Sequence, residues 1–543
     1  MPEREFSVWA PRAARVELEL EGRRLAMAGP TNGWHQVALD CAPRARYGFV
    51  LDGAGPFADP RSRSQPDGPL GLSRLDHPGD FNWTDQLWAG VPLEDLLVYE
   101  LHIGTFSAAG TFEGAIPHLD HLVDLGVTAI EIMPVAAFAG ARGWGYDGVN
   151  LFAPHPHYGG PSGLRELVDA CHARGLGVIL DVVYNHVGPE GNHLPRFGPY
   201  MHEGDPTVWG PGFNLDGPDS GPVRQFVLDN ASMWITDYHL DGLRLDAVHA
   251  IRDDSRVNIL QELASTVRGL EATAGRPLHL IAESDLNDAR LVRDPARGGF
   301  GLDAQWSDDF HHSLHALLTG ERDGYYADFG RPEQLLKALN SPFVYDGVMS
   351  PSRGRRHGFP VGDVADPRFI IYTQNHDQVG NRARGDRLCH LVSADAVRWA
   401  AAAMLLTRFT PLIFMGEEWG ASTPFCFFSD HQDPQIAGAT SQGRKREFAA
   451  FGWDPDSIPD PQDRRTFAAS KLDWSELERA PHHETLEFYR RLIRERRDSG
   501  PVISNATLEQ GTIGWRRRGL SVELDLGSLQ LRLSTPSRGP SRP

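Results

Sequence analysis

The stretch Gly242-Leu-Arg-Leu-Asp-Ala-Val-His249 decides the fold, because it is a short apolar run that ends in a carboxylate. Two later stretches, Leu278-His-Leu-Ile-Ala-Glu-Ser-Asp285 and Phe369-Ile-Ile-Tyr-Thr-Gln-Asn-His-Asp377, repeat the pattern. Buried parallel strands are continuous hydrophobic runs, and in a βα barrel the chemistry lies at the carboxyl ends of the strands. The three runs therefore predict a barrel whose active site receives one acid from each.

The remainder of the chain supports a barrel, because short apolar strands alternate with helical stretches from about residue 95. The eight candidate strands span 97–102, 127–134, 177–183, 242–248, 278–284, 301–306, 369–374 and 411–416. Apolar residues recur at helical spacing between them, and a last helix is predicted over 483–497. This alternation predicts a (β/α)₈ TIM barrel of class α/β. An open doubly wound sheet is the alternative, but no glycine-rich phosphate loop follows the first strand.

The two ends of the chain read as β structure. Residues 15–20 alternate with period two, as expected of a half-buried strand, and residues 1–85 predict an N-terminal β-sandwich of immunoglobulin-like type. The barrel is expected over 95–500, with a short loop subdomain at about 187–222. Residues 501–543 predict a small C-terminal β-domain whose Pro- and Ser-rich tail is frayed.

Composition limits the classes of partner. The chain has 543 residues and a net charge of −19, which argues against nucleic acid or an anionic membrane as the main partner. The charged N-terminus has no signal-peptide core, so a cytoplasmic location is expected. The four cysteines lie far apart without a C-x-x-C pair, which indicates neither a zinc site nor a disulfide framework. We expect no metal and no cofactor.

The acids differ in their neighbours. Side chains alternate across a strand, so Arg244 and Asp246 share one face, and the guanidinium favours an ionised carboxylate. Glu283 follows an apolar stretch, where a carboxyl keeps its proton longer and suits a general acid. Asp377 follows an asparagine and His376, polar partners that hold it in place. One such acid would more simply be a solvated strand end or a helix cap, whereas three favour catalysis.

Two further polar clusters have both functional and structural interpretations. The stretch Asp181-Val-Val-Tyr-Asn-His186 ends the third strand, and its aspartate is also readable as a buried carboxyl satisfied by backbone amides. His186 and His376 either bind sugar hydroxyls or are ordinary core histidines. The loop Gly143-Trp-Gly-Tyr-Asp-Gly148 offers aromatic rings that either stack on a sugar or plug the loop.

Together these clusters resemble the four signature regions of the α-amylase superfamily, in the same order along the chain. The resemblance implies a retaining glycosidase with Asp246 as nucleophile, Glu283 as acid/base and Asp377 gripping the distorted sugar. It also implies a set of substrate-binding residues: Tyr146, His186, Arg244, His249, Asp308, Asp309, Phe310, His311, His312, His376, Gln378 and Asn381. A retaining enzyme carries its two catalytic carboxyls roughly 5–5.5 Å apart.

A finer resemblance is to the malto-oligosyltrehalose trehalohydrolases, carried by residues 143–149, 305–315, 319–327, 374–382 and 415–420. It implies hydrolysis of the α-1,4 bond next to a terminal trehalose unit, with release of trehalose and a malto-oligosaccharide. The enzyme would act after a malto-oligosyltrehalose synthase. The segments 308–312 and 376–381 would lie near the leaving-group side.

Two other functions remain as alternatives. A 1,4-α-glucan branching enzyme shares the N-terminal module, the barrel and the three acids but transfers the sugar to another glucan. The segment 308–312 favours the hydrolase over it. A non-catalytic glucan-binding barrel is disfavoured because all three acids are present together with Arg244 and His376.

Overall fold

The structure is a computed structural model that describes residues 3–204, 207, 209–449, 458–500, 506–509, 512–517, 520–525 and 530–534. The strands are, in chain order, β1 (Glu3–Trp9), β2 (Val16–Leu20), β3 (Arg23–Ala26), β4 (Ala28–Thr31), β5 (Trp34–Asp40), β6 (Arg46–Leu51), β7 (Ala54–Phe57), β8 (Ser73–Arg74), β9 (Val98–Leu101), β10 (Ala129–Ile132), β11 (Ala136–Ala137), β12 (Asn150–Pro154), β13 (Gly177–Val182), β14 (Gly242–Leu245), β15 (His279–Ala282), β16 (Ala304–Trp306), β17 (Val348–Ser350), β18 (Arg355–His357), β19 (Phe369–Tyr372), β20 (Thr410–Phe414), β21 (Thr507–Glu509), β22 (Thr512–Arg517), β23 (Leu520–Asp525) and β24 (Gln530–Ser534).

Helices separate most of the barrel strands. They are α1 (Ile103–Phe106), α2 (Phe112–Ala115), α3 (Leu119–Leu125), α4 (Gly160–His172), α5 (Leu194–Phe197), α6 (Ser220–Asp237), α7 (Ile259–Ala274), α8 (Asp308–Thr319), α9 (Pro332–Asn340), α10 (His376–Gly380), α11 (Leu388–Leu391), α12 (Ala394–Leu405), α13 (Pro434–Ala449), α14 (Arg464–Ala469) and α15 (His482–Ser499).

Eight parallel strands close into a barrel in the order β9, β10, β13, β14, β15, β16, β19, β20, and β20 pairs with β9 through Leu412 and Val98. All eight lie within or next to the predicted runs, although each is shorter, and the (β/α)₈ prediction is confirmed. Every residue of β9, β10 and β13 to β16 is buried. Core contacts on one side and helices on the other account for the continuous apolar runs.

The N-terminal region forms two antiparallel sheets, as predicted. One has the order β1-β5-β4, and the other has the order β3-β2-β6-β7 with β8 on β6. In β2 the residues Val16, Leu18 and Leu20 are buried while the intervening glutamates are half-buried, which is the period-two pattern of a sheet with one face on a core. The boundary of this domain at residue 85 stays a prediction.

The segment 187–222 follows the barrel strand β13 and packs against the N-terminal sheets. Within its described residues it contains α5 and a bridge between Met201 and Phe213. Tyr200 packs edge-on against Trp9, with ring centroids 5.2 Å apart. At the C-terminal end, β21 to β24 form an antiparallel sheet. The predicted tail 535–543 lies outside the described residues. No helix in the described part of the chain is long and apolar enough to cross a membrane.

Candidate active site

The three acids follow three barrel strands. Asp246 comes directly after β14, Glu283 directly after β15, and Asp377 lies in the first turn of α10 beyond β19. The strand ladder still holds the first two, since Asp246 donates its N–H to Val182 at 3.1 Å and Glu283 donates to Leu245 at 3.0 Å. Both acids are therefore positioned by the barrel backbone and not by a free loop.

Arg244 is the centre of the site. Its side chain is fully buried, and Nη1 donates to Asp246 Oδ1 at 2.6 Å and to Asp181 Oδ2 at 2.8 Å. Its Nη2 lies 3.7 Å from Glu283 Oε2. The guanidinium carbon sits 4.3 Å from the ring centroid of Trp306, which holds the cation from the barrel side. The predicted pairing of Arg244 with Asp246 is confirmed.

Both carboxylate oxygens of Asp246 have partners. Arg244 binds Oδ1, and Asn185 donates from Nδ2 to Oδ2 at 2.7 Å. The carboxylate keeps a solvent-facing part, with 14% of the side chain exposed. Two donors, one of them cationic, stabilise a negative charge at a place that an incoming ligand can reach.

Glu283 is a carboxyl that holds its proton. Burial is the largest cause and raises its pKa to about 8, Arg244 opposes the shift, and nearby carboxyl groups, Asp246 first among them, add to it. Ala247 donates its N–H to Glu283 Oε2 at 2.6 Å. Ala247 adopts a left-handed conformation with φ of 39°, an uncommon one for alanine that aims this N–H into the site. At neutral pH Glu283 is therefore equipped to donate a proton.

Asp377 and His376 form a second group of side chains in the site. The Asp377 side chain is 45% exposed, and its Oδ1 accepts from Asn381 Nδ2 at 3.3 Å and lies 3.5 Å from His376 Nε2. Glu100 Oε1 accepts from His376 Nδ1, and Glu100 Oε2 accepts the His376 N–H at 3.0 Å. Burial opposes protonation of the imidazole, but Asp377 and Glu100 outweigh it and raise the pKa of His376 to about 9.

Tyr146 links Asp181, a partner of Arg244, to His376. Its hydroxyl donates to Asp181 Oδ2 at 2.6 Å and lies 2.7 Å from His376 Nε2, over which its ring is stacked at 5.3 Å. His186 Nε2 lies 3.0 Å from the Tyr146 carbonyl oxygen and supports the loop. Gly145 has φ of 105° in this loop, and a Cβ there would lie 2.0 Å from the Pro134 carbonyl oxygen. The chain needs glycine at this position to place Tyr146.

Asp181 is buried, and its partners are the side chains of Arg244 and Tyr146 rather than backbone amides. Burial raises its pKa to about 7, with Arg244 opposing and Asp246 adding to the shift. It therefore belongs to the same charged network as the acids.

The segment 308–312 splits into two sets of side chains. Asp308 accepts from the Tyr372 hydroxyl and, at 3.4 Å, from Gln378 Nε2, and burial raises its pKa to about 7. His312 packs against the half-exposed ring of Tyr325 at 5.0 Å. These two side chains are the part of the segment that is only partly buried.

The other three residues of that segment point into the protein. Asp309 Oδ2 accepts from the backbone of Val344 at 2.7 Å and of Tyr345 at 2.9 Å, and Phe310 is fully buried. His311 bonds the Thr373 carbonyl oxygen through Nδ1 at 2.6 Å. The polar atoms of Asp309 and His311 hold neighbouring backbone in place and Phe310 packs in the core, so in this arrangement the three residues support the site from behind.

His249 lies at the exposed rim, 3.9 Å from Asp285 and 6.4 Å from the ring of Trp209. Trp209 is half exposed and also faces His186 at 6.2 Å. Sequence reasoning did not select Trp209, Tyr325, Asn185 or Glu100. A charged residue inside an apolar strand was the available signal for Glu100, and large aromatic residues in polar loops were the signal for the two rings.

A closed parallel barrel that brings Asp246, Glu283 and Asp377 to its strand ends, the first two around one buried arginine, defines a glycoside hydrolase of the α-amylase class. In the described part of the chain no group of three or more His, Cys, Asp or Glu side chains is arranged to hold a metal. Residues 77–197 match the family model described as alpha amylase, catalytic domain.

Relatives that match most of the chain show to which family within this class it belongs. The chain is 53% identical to a malto-oligosyltrehalose trehalohydrolase of Arthrobacter ramosus, over 91% of this chain and 87% of that relative. It is 49% identical to one of Rhizobium sp. (strain M-11), over 91% and 85%. A crystal structure of a protein assigned as an alpha amylase from Salmonella typhimurium matches with a TM-score of 0.89 and 39% identity, covering 96% of this chain and 91% of that one. This chain belongs to the malto-oligosyltrehalose trehalohydrolase family.

The branching enzymes are more distant. A 1,4-alpha-glucan branching enzyme of Corynebacterium jeikeium is 28% identical over 76% of this chain and 60% of its own length.

Proposed function

We propose that this protein hydrolyses the α-1,4-glucosidic bond next to the terminal trehalose unit of malto-oligosyltrehalose, releasing trehalose and a malto-oligosaccharide. Family membership supports the choice of substrate. The observation that carries the chemistry is the shared contact of Arg244 with two acids, Asp246 at 2.6 Å and Glu283 at 3.7 Å, together with the raised pKa of Glu283.

The first half of the reaction forms a covalent intermediate. Asp246 attacks C1 of the sugar on the non-trehalose side of the bond, while Glu283 gives its proton to the bridging oxygen. Trehalose leaves with that oxygen as a hydroxyl, and the malto-oligosyl unit stays on Asp246. The pKa of about 8 for Glu283 ensures that a proton is available at neutral pH.

The second half uses the same two acids in reversed roles. Glu283, now a carboxylate, takes a proton from water, which attacks C1 and displaces Asp246. The malto-oligosaccharide leaves with its α configuration retained. Arg244 stays against Asp246 throughout and stabilises the carboxylate as it leaves.

The remaining side chains position the sugar. Asp377 presents an exposed carboxylate to sugar hydroxyls, and His376 supplies a buried cation beside it. Tyr146 offers its ring to the sugar that is attacked, with His186 beneath its loop. We place Asp308, His312, Gln378 and Asn381 near the trehalose leaving group, and His249 at the rim. Asp309, Phe310 and His311 act indirectly, by holding in place the part of the site next to the leaving group.

The experiment supplies maltotriosyltrehalose and amylose separately. Release of free trehalose from the first supports the proposal, and Asp246→Ala is expected to remove it while the melting temperature stays close to that of the wild type. A loss of iodine staining from amylose without new reducing ends would instead identify a branching enzyme. Turnover that survives Asp246→Ala would contradict the assigned nucleophile.

The substrate carries a terminal trehalose unit, so an enzyme that rearranges the reducing end of a malto-oligosaccharide must act first. We propose a malto-oligosyltrehalose synthase for that step. We also propose a cytoplasmic location, because buried free thiols such as Cys171 and Cys426 are the form that cysteines keep in a reducing compartment.

A further inference from the structure

A second cavity lies at the end of the barrel opposite the acids. It has a volume of about 370 Å³ and is bounded by the segment 83–88 and by the C-terminal ends of α6 and α7. Its lining residue His239 precedes β14, whereas Asp246 follows that strand. The cavity is therefore separated from the active site by the length of the barrel, and its volume is within the range of ligand pockets.

Two tryptophans line this cavity, and each is stacked on a histidine. The Trp83 ring is stacked on His239 at 3.8 Å with 13° between the planes. The Trp88 ring is stacked on His172 at 4.8 Å, also with 13° between the planes. Both indoles are only partly buried. An imidazole covers one face of each ring, and Phe81 also packs against Trp83 in a T-shaped contact at 4.8 Å; the remaining exposed part of each ring lines the cavity.

A single carboxylate sets the spacing of the two rings. Asp85 Oδ2 bonds His172 Nδ1 at 2.9 Å and His239 Nδ1 at 2.8 Å. Trp88 also donates from Nε1 to Asp241 Oδ1 at 2.7 Å. The two indoles are thus held at a fixed separation before any ligand arrives, which lowers the entropic cost of binding one.

The charged side chains around the cavity are already paired within the protein. Arg276 donates from Nε to Asp241 Oδ1 at 3.0 Å and from Nη2 to the carbonyl oxygen of His239 at 2.7 Å. Asp85 is occupied by its two histidines. The other polar side chains that line the cavity, Gln86, Thr236 and Thr273, are neutral. Each donates to a backbone carbonyl oxygen, and their side-chain oxygens can still accept from a ligand. Aromatic faces with neutral hydrogen-bonding groups suit an uncharged, polyhydroxylated ligand.

We propose that this cavity is a second carbohydrate site, which holds a stretch of α-1,4-glucan chain away from the acids. The choice of glucan rests on the proposed function, since the active site handles malto-oligosyl chains. A long substrate then contacts the protein at two places, which raises its effective concentration at the active site. A chain of a few sugars is too short to benefit.

The test compares a short substrate, maltotriosyltrehalose, with a malto-oligosyltrehalose that carries a long glucan chain. Trp83→Ala is expected to raise KM for the long substrate about tenfold, the factor given by losing ~1.4 kcal/mol of contact, and to leave kcat unchanged. KM for the short substrate stays at the wild-type value. Leu87→Ala is the matched control, because Leu87 belongs to the same segment and is 97% exposed.

A second variant distinguishes a loss of binding from a folding defect caused by Trp83→Ala. Thr273→Trp places a bulky side chain in the cavity from an exposed position of α7 and leaves both tryptophans intact. It is expected to raise KM for the long substrate in the same way with an unchanged melting temperature. If both variants leave the ratio of long to short KM at the wild-type value, the second site is wrong. A lowered melting temperature with equal effects on both substrates identifies the tryptophans as a structural anchor and also overturns it.

Direct binding separates this proposal from the proposed function. Calorimetric titration of the wild-type protein and of Thr273→Trp with maltoheptaose is expected to show one site fewer in the variant. This result is independent of trehalose release, so the wild-type protein failing to release trehalose would count against the proposed function alone. Equal stoichiometry in the two proteins would count against the second site alone.

Discussion

Arg244 Nη1 donates to Asp246 Oδ1 across 2.6 Å, and the same nitrogen donates to Asp181 at 2.8 Å. One buried cation therefore bonds two carboxyl groups while a neighbouring nitrogen of the guanidinium approaches Glu283 at 3.7 Å. Because the group is planar and its donors are fixed in a fork, it sets the relative position of Asp246 and Glu283 as well as their charge balance.

Replacing this arginine tests whether geometry or charge alone matters. Arg244→Lys keeps the charge but loses the fork, and we expect kcat/KM for maltotriosyltrehalose to fall about 10²-fold. Arg244→Met leaves buried carboxylates unpaired, so it is also expected to lose about 3–5 kcal/mol of stability. Arg268→Lys, at an exposed position on α7, is the control and should match the wild type. Full activity in Arg244→Lys would show that the charge alone suffices.

The pKa of Glu283 predicts the alkaline side of the activity profile. The general acid must be protonated, and burial brings its pKa to about 8, so kcat/KM is level below that pH and falls about tenfold per unit above it. The measurement is kcat/KM for maltotriosyltrehalose between pH 5 and pH 10.

A substrate with a fluoride leaving group assigns this decline to its residue. Fluoride leaves without protonation, so Glu283→Gln is expected to release fluoride from a maltosyl fluoride in a rapid single-turnover burst whose rate shows no decline near pH 8. Release after the burst is slow, because glutamine cannot take the proton from the attacking water. A decline that persists in Glu283→Gln would assign the ionisation to another group, and His376, with a pKa of about 9, would be the first to examine.

The local part of this site could be predicted from the sequence. Two residues of alternating position on one strand share a face, so the pairing of Arg244 with Asp246 followed from their spacing alone. The eight strands were also predictable, because a strand buried on both sides is apolar along most of its length. The strands themselves are shorter than predicted, because Asp246 and Glu283 come directly after the last residue of β14 and of β15.

Contacts between distant parts of the chain were not predictable. Glu100 and His376 are 276 residues apart, and only closure of the barrel brings β9 beside the end of β19. The direction of Asp309 is a similar case. It is adjacent to Asp308 on α8, and the helical turn sends one carboxylate toward Gln378 and the other toward buried backbone.

The ion pair of His376 with Glu100 predicts a pH dependence of stability. Raising the pKa of a fully buried histidine from 6.5 to about 9 corresponds to about 3 kcal/mol of folding free energy. Because the folded pKa is the higher one, this contribution is complete below pH 6.5 and is lost as the pH rises through 9. We therefore expect the stability difference between the wild type and His376→Gln to shrink by about that amount between pH 6 and pH 10.

Urea unfolding at a series of pH values measures this difference. Comparing the two proteins at each pH cancels the titration of groups that both contain. His157→Gln is a suitable control, since that histidine is exposed and lies in the short helical turn Pro156–Tyr158, outside the group formed by Glu100, His376 and Asp377. A difference that is constant from pH 6 to pH 10 would mean that folding leaves the pKa of His376 unchanged, and a difference that grows with pH would mean that His376 is neutral in the folded protein.

Gly145 gives a prediction about the Tyr146 loop. Its φ of 105° is a conformation that alanine rarely adopts, and the added Cβ would lie 2.0 Å from the Pro134 carbonyl oxygen. Gly145→Ala must therefore move the loop, and with it the hydroxyl that bridges Asp181 and His376. A displacement of about 1 Å in such a site costs roughly 10²-fold in rate, and we expect that loss in kcat/KM together with a lowered melting temperature.

The matched control is Gly221→Ala in the first turn of α6, where a Cβ would meet nothing within 4 Å. That variant should equal the wild type in rate and be at least as stable, because alanine favours helix over glycine by about 1 kcal/mol. The two substitutions add the same methyl group, so a difference between them isolates the backbone constraint at Gly145. If Gly145→Ala retains wild-type kcat/KM, the Tyr146 hydroxyl is not needed where the structure holds it, and the network from Asp181 to His376 does not act in turnover.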